Sequence, residues 1–446
     1  MLKISPVIPT QLLISRHLRL LTPLLIVFLT TTLAIGQTLS IGLPEKNGFS
    51  AERLARIDKI VQQYIDSGWI NGAIGIVAKN GQIVYYKGLG YADIESKKPM
   101  PKDAIFRIAS QTKAITSVAV MQLLEEGKFL LDDPISKYIS AFKKPVVLDK
   151  FNAVDSSYTS IPATREISIR DLLTHTSGIG YAQIGTKTFT AIYAKNGVYG
   201  GIGLPAGMTL KENILRLARL PLMHQPGEKW TYGLNTDVLG YLVEVMSGMS
   251  LDAYFQKKIF GPLGMKDSYF YLPKEKQNRL AKLYTEDSTK HIKAMPEMIP
   301  MNGNFYRDFP NTVGGTFYSG GGGLASTAYD YAIFMQMLLN GGDYNGQHIL
   351  SKASIRLMTT NQIGSLSRSG LGADTKFGLG FELVTPSSYG KGFTSMGSFS
   401  WGGMFSSTYW IDPVEKIVGQ FVLQMLPSSH GDINEKFKVQ VYQALK

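Results

Sequence analysis

Apolar residues follow two different periods in the first part of the chain. In the stretch SAERLARIDKIVQQYIDSG (50–68) they recur at helical spacing, at Leu54, Ile57, Ile60, Val61 and Ile65. This spacing gives one apolar face and predicts an amphipathic helix. The stretch GAIGIVAKNGQIVYYKGLG (72–90) instead has two β-rich runs on either side of Asn80-Gly81, a pair that favours the type I′ turn. It therefore predicts a β-hairpin.

Helical patterns dominate the middle of the chain. The segment AITSVAVMQLLEEGK (114–128) is apolar almost all round and runs into a glycine, so it predicts a helix that is buried on most sides. Two further helices are predicted by capping boxes, Ser168 with Asp171 and Thr327 with Asp330. Another helix, in TDVLGYLVEVMSG (236–248), is predicted to stop at Gly248.

The pattern returns to strands near the C-terminus. Strands are predicted in FGLGFELV (377–384), GMFSSTYWI (403–411) and IVGQFVLQML (417–426), and a last helix over 434–445. Strands at both ends of the chain imply one antiparallel sheet that joins the first hairpin to the C-terminal strands. The predicted fold class is α/β (α+β): this sheet, flanked by N- and C-terminal helices, plus a mainly helical lobe over roughly 110–300. We expect any site to lie between lobe and sheet.

The N-terminus has the pattern of an export signal. Lys3, Arg16 and Arg19 come before a run without further charge, and Ala34-Ile35-Gly36 offers the small residues that signal peptidases recognise. We expect residues 1–36 to be removed and residues 37–446 to form the hydrolase domain. The alternative is an uncleaved anchor, which would be the protein's contact with the membrane. In both cases the body of the protein is exported, periplasmic or secreted. Without cysteine it forms no disulfide.

Composition and motifs argue against several classes of function. The formal charge is +12, but the basic residues are scattered, which favours a solvated surface over a nucleic-acid site. No His-Glu-x-x-His motif indicates a metal, and no Gly-Lys-Ser/Thr follows the glycines of 320–323, so no cofactor is expected. Those glycines are interpreted as a place where the chain passes close to the sheet or cleft edge. No Gly-x-Ser-x-Gly elbow occurs, and His175 is interpreted as a helix-end residue favoured by the helix dipole.

The candidate nucleophile is a serine with a lysine three positions on. This pattern occurs at Ser110–Lys113, Ser140–Lys143 and Ser388–Lys391. Only Ser110 begins a convincing helix, where the spacing puts Lys113 on the same face one turn on. The helix N-terminus would also direct unpaired N–H groups toward an oxyanion formed at that serine. A lysine can act as the base of a serine when burial or a neighbouring cation favours its neutral form. The alternative is a polar residue at a helix start beside a solvated lysine.

A tyrosine and a glycine pair supply two further candidates. Tyr232, in QPGEKWTYGLN, falls just before the helix near Thr236, where its phenol could relay protons. The alternative is an aromatic ring that packs at a helix entrance. In SWGGMFSSTYWIDP, Gly402 and Gly403 are predicted to begin a strand that a ligand approaches closely, with the N–H of Met404 as an oxyanion donor. The alternative there is a β-bulge.

In this order and on these elements, the three motifs resemble serine hydrolases of the class C β-lactamase and penicillin-binding-protein fold, most closely the family VIII carboxylesterases. The resemblance covers about residues 50–445 and includes IRDLLTHTSGI, IFGPLGMKDSYF and YSGGGGLASTAYDY. It implies that Ser110 is acylated, that Lys113 deprotonates it and that Tyr232 relays protons. It also implies an oxyanion hole made by the N–H groups of Ser110 and Met404, and a small-molecule ester or peptide-like substrate.

Two positions depart from the family pattern. The asparagine expected two residues after the tyrosine is replaced by Leu234, and Asn235 follows one residue later. Asn235 is interpreted as a helix N-cap, with substrate binding as the alternative. The Lys-Thr-Gly triplet of true β-lactamases is replaced by Trp401-Gly402-Gly403, the esterase-like form, which we expect to contact the substrate.

The predicted function is an exported serine hydrolase that cleaves esters, with amides as possible further substrates. One alternative is a class C-like β-lactamase or D-Ala-D-Ala carboxypeptidase. The other is a non-catalytic protein of the same fold that binds peptidoglycan or a peptide. The presence of Ser110, Lys113 and Tyr232 argues against the non-catalytic alternative.

Overall fold

A computed structural model describes residues 38–182, 184–204, 207–301, 304–368 and 372–446. They belong to one compact unit, Gln37–Lys446. The predicted export signal lies outside the described residues. Within these ranges no helix has the length and apolar character needed to cross a membrane.

The strands are numbered in chain order. They are β1 (Ser40–Ile41), β2 (Gly72–Lys79), β3 (Gln82–Asp93), β4 (Lys98–Pro99), β5 (Phe106–Arg107), β6 (Val146–Phe151), β7 (Tyr158–Pro162), β8 (Tyr284–Glu286), β9 (Ile292–Ala294), β10 (Met298–Pro300), β11 (Asn304–Tyr306), β12 (Ala325–Ser326), β13 (Asp343–Tyr344), β14 (Gln347–His348), β15 (Lys376–Phe377), β16 (Glu382–Leu383), β17 (Phe399–Gly403), β18 (Ser407–Asp412) and β19 (Ile417–Val422).

The main sheet joins the two ends of the chain. Its order is β1-β3-β2-β19-β18-β17-β16-β15, with β4 beside β3. β1 runs parallel to β3, and the other neighbouring strands are antiparallel. In its centre Phe421 of β19 lies opposite Gly75 of β2. The prediction that the first hairpin and the C-terminal strands share one sheet is therefore confirmed.

The helices are also numbered in chain order. They are α1 (Ala51–Leu54), α2 (Arg56–Asp66), α3 (Thr112–Glu125), α4 (Ile169–Leu173), α5 (Lys187–Lys195), α6 (Leu210–Leu217), α7 (Asn235–Ser247), α8 (Leu251–Phe255), α9 (Gly261–Leu263), α10 (Ala328–Leu339), α11 (Lys352–Met358) and α12 (Ile433–Tyr442). A π-helical turn, Gln256–Phe260, connects α8 to α9. The first predicted helix is thus divided into α1 and α2.

Both faces of the central strand β2 are covered, which explains its unbroken apolar sequence. Ala73 and Val77 belong to a core cluster with residues of α2 and α12. Ile74, Ile76 and Ala78 belong to the larger cluster that includes α3, α7 and α10. The sheet therefore lies between the terminal helices and the lobe. The hairpin that follows β2 has the predicted turn, because Asn80 and Gly81 have φ values of 52° and 74°.

The C-terminal strands are shorter than the sequence predicts. Residues 377–384 do not form one strand, because Gly380, with φ 96°, turns the chain between β15 and β16. Residues 403–411 are divided as well: β17 ends at Gly403, and β18 begins at Ser407. The prediction that Gly402 and Gly403 begin a strand is therefore wrong. They end β17, directly before a turn.

The two capping boxes predicted in the sequence have different outcomes. The capping box of α4 is confirmed. At α10, Thr327 accepts a hydrogen bond from the N–H of Asp330, but the Asp330 carboxylate accepts one from the N–H of Asp267. The box is therefore half formed, because tertiary structure offers that carboxylate another donor. The hairpin β6–β7 within the lobe was not predicted.

Candidate active site

Ser110 lies in the turn that leads from β5 into α3. Residues Ala109–Gln111 form a 3₁₀ turn, and α3 begins only after it, at Thr112. Ala109 has a φ of 44°, a conformation that residues with a Cβ rarely adopt. Strain of this kind costs about 1–3 kcal/mol and persists where the surrounding structure enforces it. Ala109 is buried, so the fold holds Ser110 at a fixed bend in front of the helix N-terminus.

Lys113 is one turn from Ser110 and is 2% exposed. Its Nζ lies 3.2 Å from the Ser110 Oγ, 2.8 Å from the Tyr181 hydroxyl and 2.5 Å from the carbonyl oxygen of Gly321. Lys113 is therefore enclosed by protein, so the alternative interpretation of a solvated lysine is wrong. Its amine is aimed at the serine by groups from two other segments.

Tyr232 completes a chain of hydrogen-bonded groups. Its hydroxyl donates to the Ser110 Oγ at 2.7 Å, and the Lys113 Nζ lies 4.8 Å from its ring centroid. The indole Nε1–H of Trp401 donates to the same hydroxyl at 3.4 Å. The phenol oxygen therefore has a donor on one side and the serine on the other. The structure brings together Ser110, Lys113 and Tyr232, as the sequence predicts.

His175 supports the Tyr232 ring from inside the lobe. It is buried, and its ring centroid lies 4.9 Å from that of Tyr232. Burial, then the charges of Lys113 and Arg368, hold its pKa well below the usual range of histidine. His175 does follow α4, but the helix dipole does not explain it, because a neutral ring gains little from the negative end of a helix.

Asn235 has neither of its two predicted roles, substrate binding or helix N-cap. Its side chain is fully buried and does not line the cavity described below. The amide donates to His175 Nδ1 at 3.0 Å and to the Ile179 carbonyl at 3.2 Å, and its oxygen accepts from Ser177. It is not an N-cap either, because α7 begins at Asn235 and the capping position is Leu234. Its amide fixes the loop that carries Tyr181.

The strand β17 brings Trp401, Gly402 and Gly403 to the serine. A Cβ on Gly403 would lie 2.6 Å from the carbonyl oxygen of Ile108, so only glycine allows the strand to come this close to the Ser110 turn. Met404 follows in the turn after β17 and lines the same cavity as Ser110. The arrangement is a strand end against a helix start, and not the β-bulge of the alternative interpretation.

Tyr181 is a site residue that sequence reasoning missed. It is buried, and burial, followed by the neighbouring Tyr232 and Asp237, raises its pKa well above the ordinary value. It therefore stays a neutral phenol beside Lys113. It belongs to no helix or strand, and an isolated tyrosine in a loop carries no periodic signal. The glycine run 320–323 has the predicted close approach, because the carbonyl of Gly321 contacts Lys113.

Ser110, Tyr181 and Tyr232 line a cavity of about 400 Å³. Most of its lining is apolar and includes Ile184, Ile202, Leu204, Met301, Phe305 and Met404. The charged lining residues are Arg368 and Glu382, which form an ion pair at 3.0 Å. Arg368 is 1% exposed, and its guanidinium lies 5.2 Å from the Trp401 ring centroid. In the ranges the structure describes, no cluster of three metal-ligating side chains occurs.

Comparisons with known proteins find relatives over most of the chain. The beta-lactamase family profile matches residues 57–442. An uncharacterised protein of Mycobacterium tuberculosis is 34% identical over 381 residues, which cover 83% of this chain and 90% of that protein. Esterase EstB of Burkholderia gladioli is 30% identical over 375 residues, covering 81% and 88%. Among solved structures, EstCE1, a hydrolase with promiscuous acyltransferase activity, is 26% identical with a TM-score of 0.75, covering 88% of this chain and 99% of its own.

Proposed function

The chain belongs to the beta-lactamase family and is a serine hydrolase, and from this premise we propose that it cleaves small-molecule esters through an acyl-enzyme on Ser110. The observation that carries the proposal is the hydrogen-bonded chain from Lys113 Nζ to Ser110 Oγ to Tyr232 hydroxyl, at 3.2 and 2.7 Å. Both distances are within reach for proton transfer. The relationship to esterase EstB of Burkholderia gladioli supports esters as the substrate class.

In the proposed acylation step, each of the three hydrogen-bonded side chains has a distinct role. Lys113, as a free amine, takes the proton of Ser110 while Oγ attacks the ester carbonyl carbon. The N–H groups of Ser110 and Met404 stabilise the oxyanion of the tetrahedral intermediate. As the C–O bond to the alcohol breaks, Tyr232 gives its proton to the departing oxygen, and Lys113 returns the proton it took from Ser110 to the Tyr232 phenolate. In deacylation, water attacks the acyl carbonyl carbon and the bond to Ser110 Oγ breaks. The acid is released, and the proton lost by the water returns to Ser110.

The residues around Trp401 favour neutral substrates. A β-lactam or a D-Ala-D-Ala peptide presents a carboxylate, and Trp401-Gly402-Gly403 offers it neither a cation nor a hydroxyl. The missing charge-assisted hydrogen bonds are worth about 1.5–3 kcal/mol each, or roughly tenfold to a hundredfold in affinity. Arg368 lines the cavity, but its guanidinium is paired with Glu382 and enclosed by aromatic rings. The Arg368 guanidinium therefore already interacts with Glu382 and with these rings.

We therefore expect efficient hydrolysis of short-chain p-nitrophenyl esters and weak or absent hydrolysis of nitrocefin and of a D-Ala-D-Ala peptide. The measurement is kcat/KM for p-nitrophenyl acetate and butyrate beside these two compounds. A p-nitrophenyl ester with a terminal carboxylate on an acyl chain of the same length is the matched control, and we expect it to react more slowly than the neutral ester. Nitrocefin turnover comparable to that of the neutral esters would contradict the proposed substrate class.

Replacement of Tyr232 with phenylalanine tests the proton relay. The variant keeps the ring that contacts His175 and loses only the hydroxyl bonded to Ser110. We expect kcat for ester hydrolysis to fall by about 10²-fold or more, because proton transfer by a positioned group contributes about that much. The melting temperature should stay close to that of the wild type. A fully active Tyr232→Phe variant would show that the tyrosine only packs.

A further inference from the structure

Asp237 is a buried carboxylate that takes no part in the proposed acylation step. It is the third residue of α7, and it is fully buried. Burying an unpaired carboxylate costs several kcal/mol, so the groups around this one must offset the cost. They lie on the segment that also contacts Lys113.

The contacts of Asp237 run to the glycine run at 320–323. Its Oδ1 accepts hydrogen bonds from the Ser319 hydroxyl at 2.6 Å and from the N–H of Gly321 at 3.3 Å. The carbonyl of the same Gly321 accepts from Lys113 Nζ at 2.5 Å. One residue therefore bridges the carboxylate and the amine. A Cβ at position 321 would lie 2.3 Å from Asp237 Oδ2, so this bridge requires glycine.

The carboxylate and the lysine also interact through their charges. Burial raises the pKa of Asp237 above its ordinary value, and the Ser319 hydrogen bond, the charge of Lys113 and the Gly321 N–H offset part of this rise. Within the described ranges, Oδ2 has no hydrogen-bond partner, so the negative charge is poorly screened. Tyr181 and His175, which also face Lys113, are uncharged, as their pKa shifts indicate. The charged residues in the lining of the cavity are the paired Arg368 and Glu382.

We propose that Asp237 is a positioning residue, which holds the Gly321 carbonyl against Lys113 and supplies the negative charge opposite the lysine. This inference rests on the proposed role of Lys113 as the base of Ser110. A nearby carboxylate stabilises the ammonium form, and only the free amine can take the serine proton. Asp237 therefore sets the pH above which the enzyme becomes active.

The test is the pH profile of kcat/KM for p-nitrophenyl butyrate in the wild type and in Asp237→Asn. Asparagine keeps an oxygen for Ser319 and Gly321 and removes the charge. The ammonium then loses its counter-charge, so the free amine appears at lower pH. We expect the acid limb to move down by about one pH unit. Well below the wild-type midpoint, kcat/KM relative to its plateau should rise about tenfold.

Ser319→Ala is the matched control, because it removes the 2.6 Å hydrogen bond and keeps the carboxylate. We expect its acid limb to stay in place even if its melting temperature falls. An unshifted acid limb in Asp237→Asn, or an equal shift in both variants, would overturn the inference while leaving the acyl-enzyme intact. Asp237→Ser carries the same expectation should the asparagine variant not fold. Failure of the proposed function would appear separately, as wild-type protein that a fluorophosphonate does not label at Ser110.

Discussion

Replacement of Ser110 with alanine is expected to lower kcat for ester hydrolysis by about 10⁴-fold or more, the scale seen when a serine nucleophile is lost. The reason is that the Ser110 Oγ is the group that Lys113 and Tyr232 both contact, at 3.2 and 2.7 Å. The measurement is steady-state turnover of p-nitrophenyl butyrate, combined with intact-mass analysis after treatment with a fluorophosphonate. The wild type should gain one adduct at Ser110, and the variant should gain none.

The two other serines of the Ser-x-x-Lys pattern provide matched controls. Ser140 is an exposed residue in a short 3₁₀ helix, and Ser388 donates to the carbonyl of Thr385 within a turn. Neither lines the cavity. Ser140→Ala and Ser388→Ala should therefore keep wild-type turnover and full labelling. Unchanged ester hydrolysis in Ser110→Ala would refute the mechanism and would direct attention to these two positions.

Lys113→Arg should be nearly as damaging as Lys113→Ala, with a loss of about 10²–10⁴-fold in kcat, the usual contribution of a general base. Arginine keeps a positive charge and a long side chain, but its guanidinium does not give up a proton at working pH. The larger group must also fit where Nζ contacts the Tyr181 hydroxyl and the Gly321 carbonyl. Both variants should be compared at saturating substrate, so that the loss is assigned to kcat.

Lys143→Arg and Lys391→Arg serve as controls for this substitution, since these lysines hold the same position in the other two motifs. Melting temperatures separate a folding defect from a chemical one. If Lys113→Arg retained much of the activity while Lys113→Ala lost it, the side chain would act as a fixed cation, and another group would have to accept the serine proton.

The elements that the sequence predicts well are those whose pattern is local. The hairpin of β2 and β3 depends on Asn80 and Gly81, which adopt the positive φ values of its turn without help from the rest of the fold. The Ser168 cap of α4 and the stop of α7 at Gly248 are likewise local hydrogen-bonding and φ preferences. The division of residues 403–411 was missed, because that turn is set by the approach of β17 to the Ser110 segment.

The residues of the candidate site likewise include some that the sequence predicts and some that it does not. Ser110, Lys113 and Tyr232 lie in motifs that the sequence displays, and the structure brings their side chains within hydrogen-bonding distance. Tyr181 contacts Lys113 from a loop, and Asp237 is linked to Lys113 through Gly321. Both arrangements arise only in the folded protein, and no spacing in the sequence relates these residues. Asn235 was misassigned for the converse reason. Its polarity and its place after Tyr232 suggested an N-cap, or alternatively substrate contact, whereas tertiary packing buries its amide.

The pairing of β2 with β19 has a consequence for biosynthesis. The hairpin that carries β2 is synthesised before the lobe, yet the strand that covers its inner edge, Ile417–Val422, is synthesised after the lobe. Until then the nascent chain exposes an unpaired strand edge, which can associate with other chains. Closing so long a loop is slow, because its entropy is lost before the contacts form. Ser110 therefore meets Trp401 and Met404 only after the whole lobe between them has been synthesised.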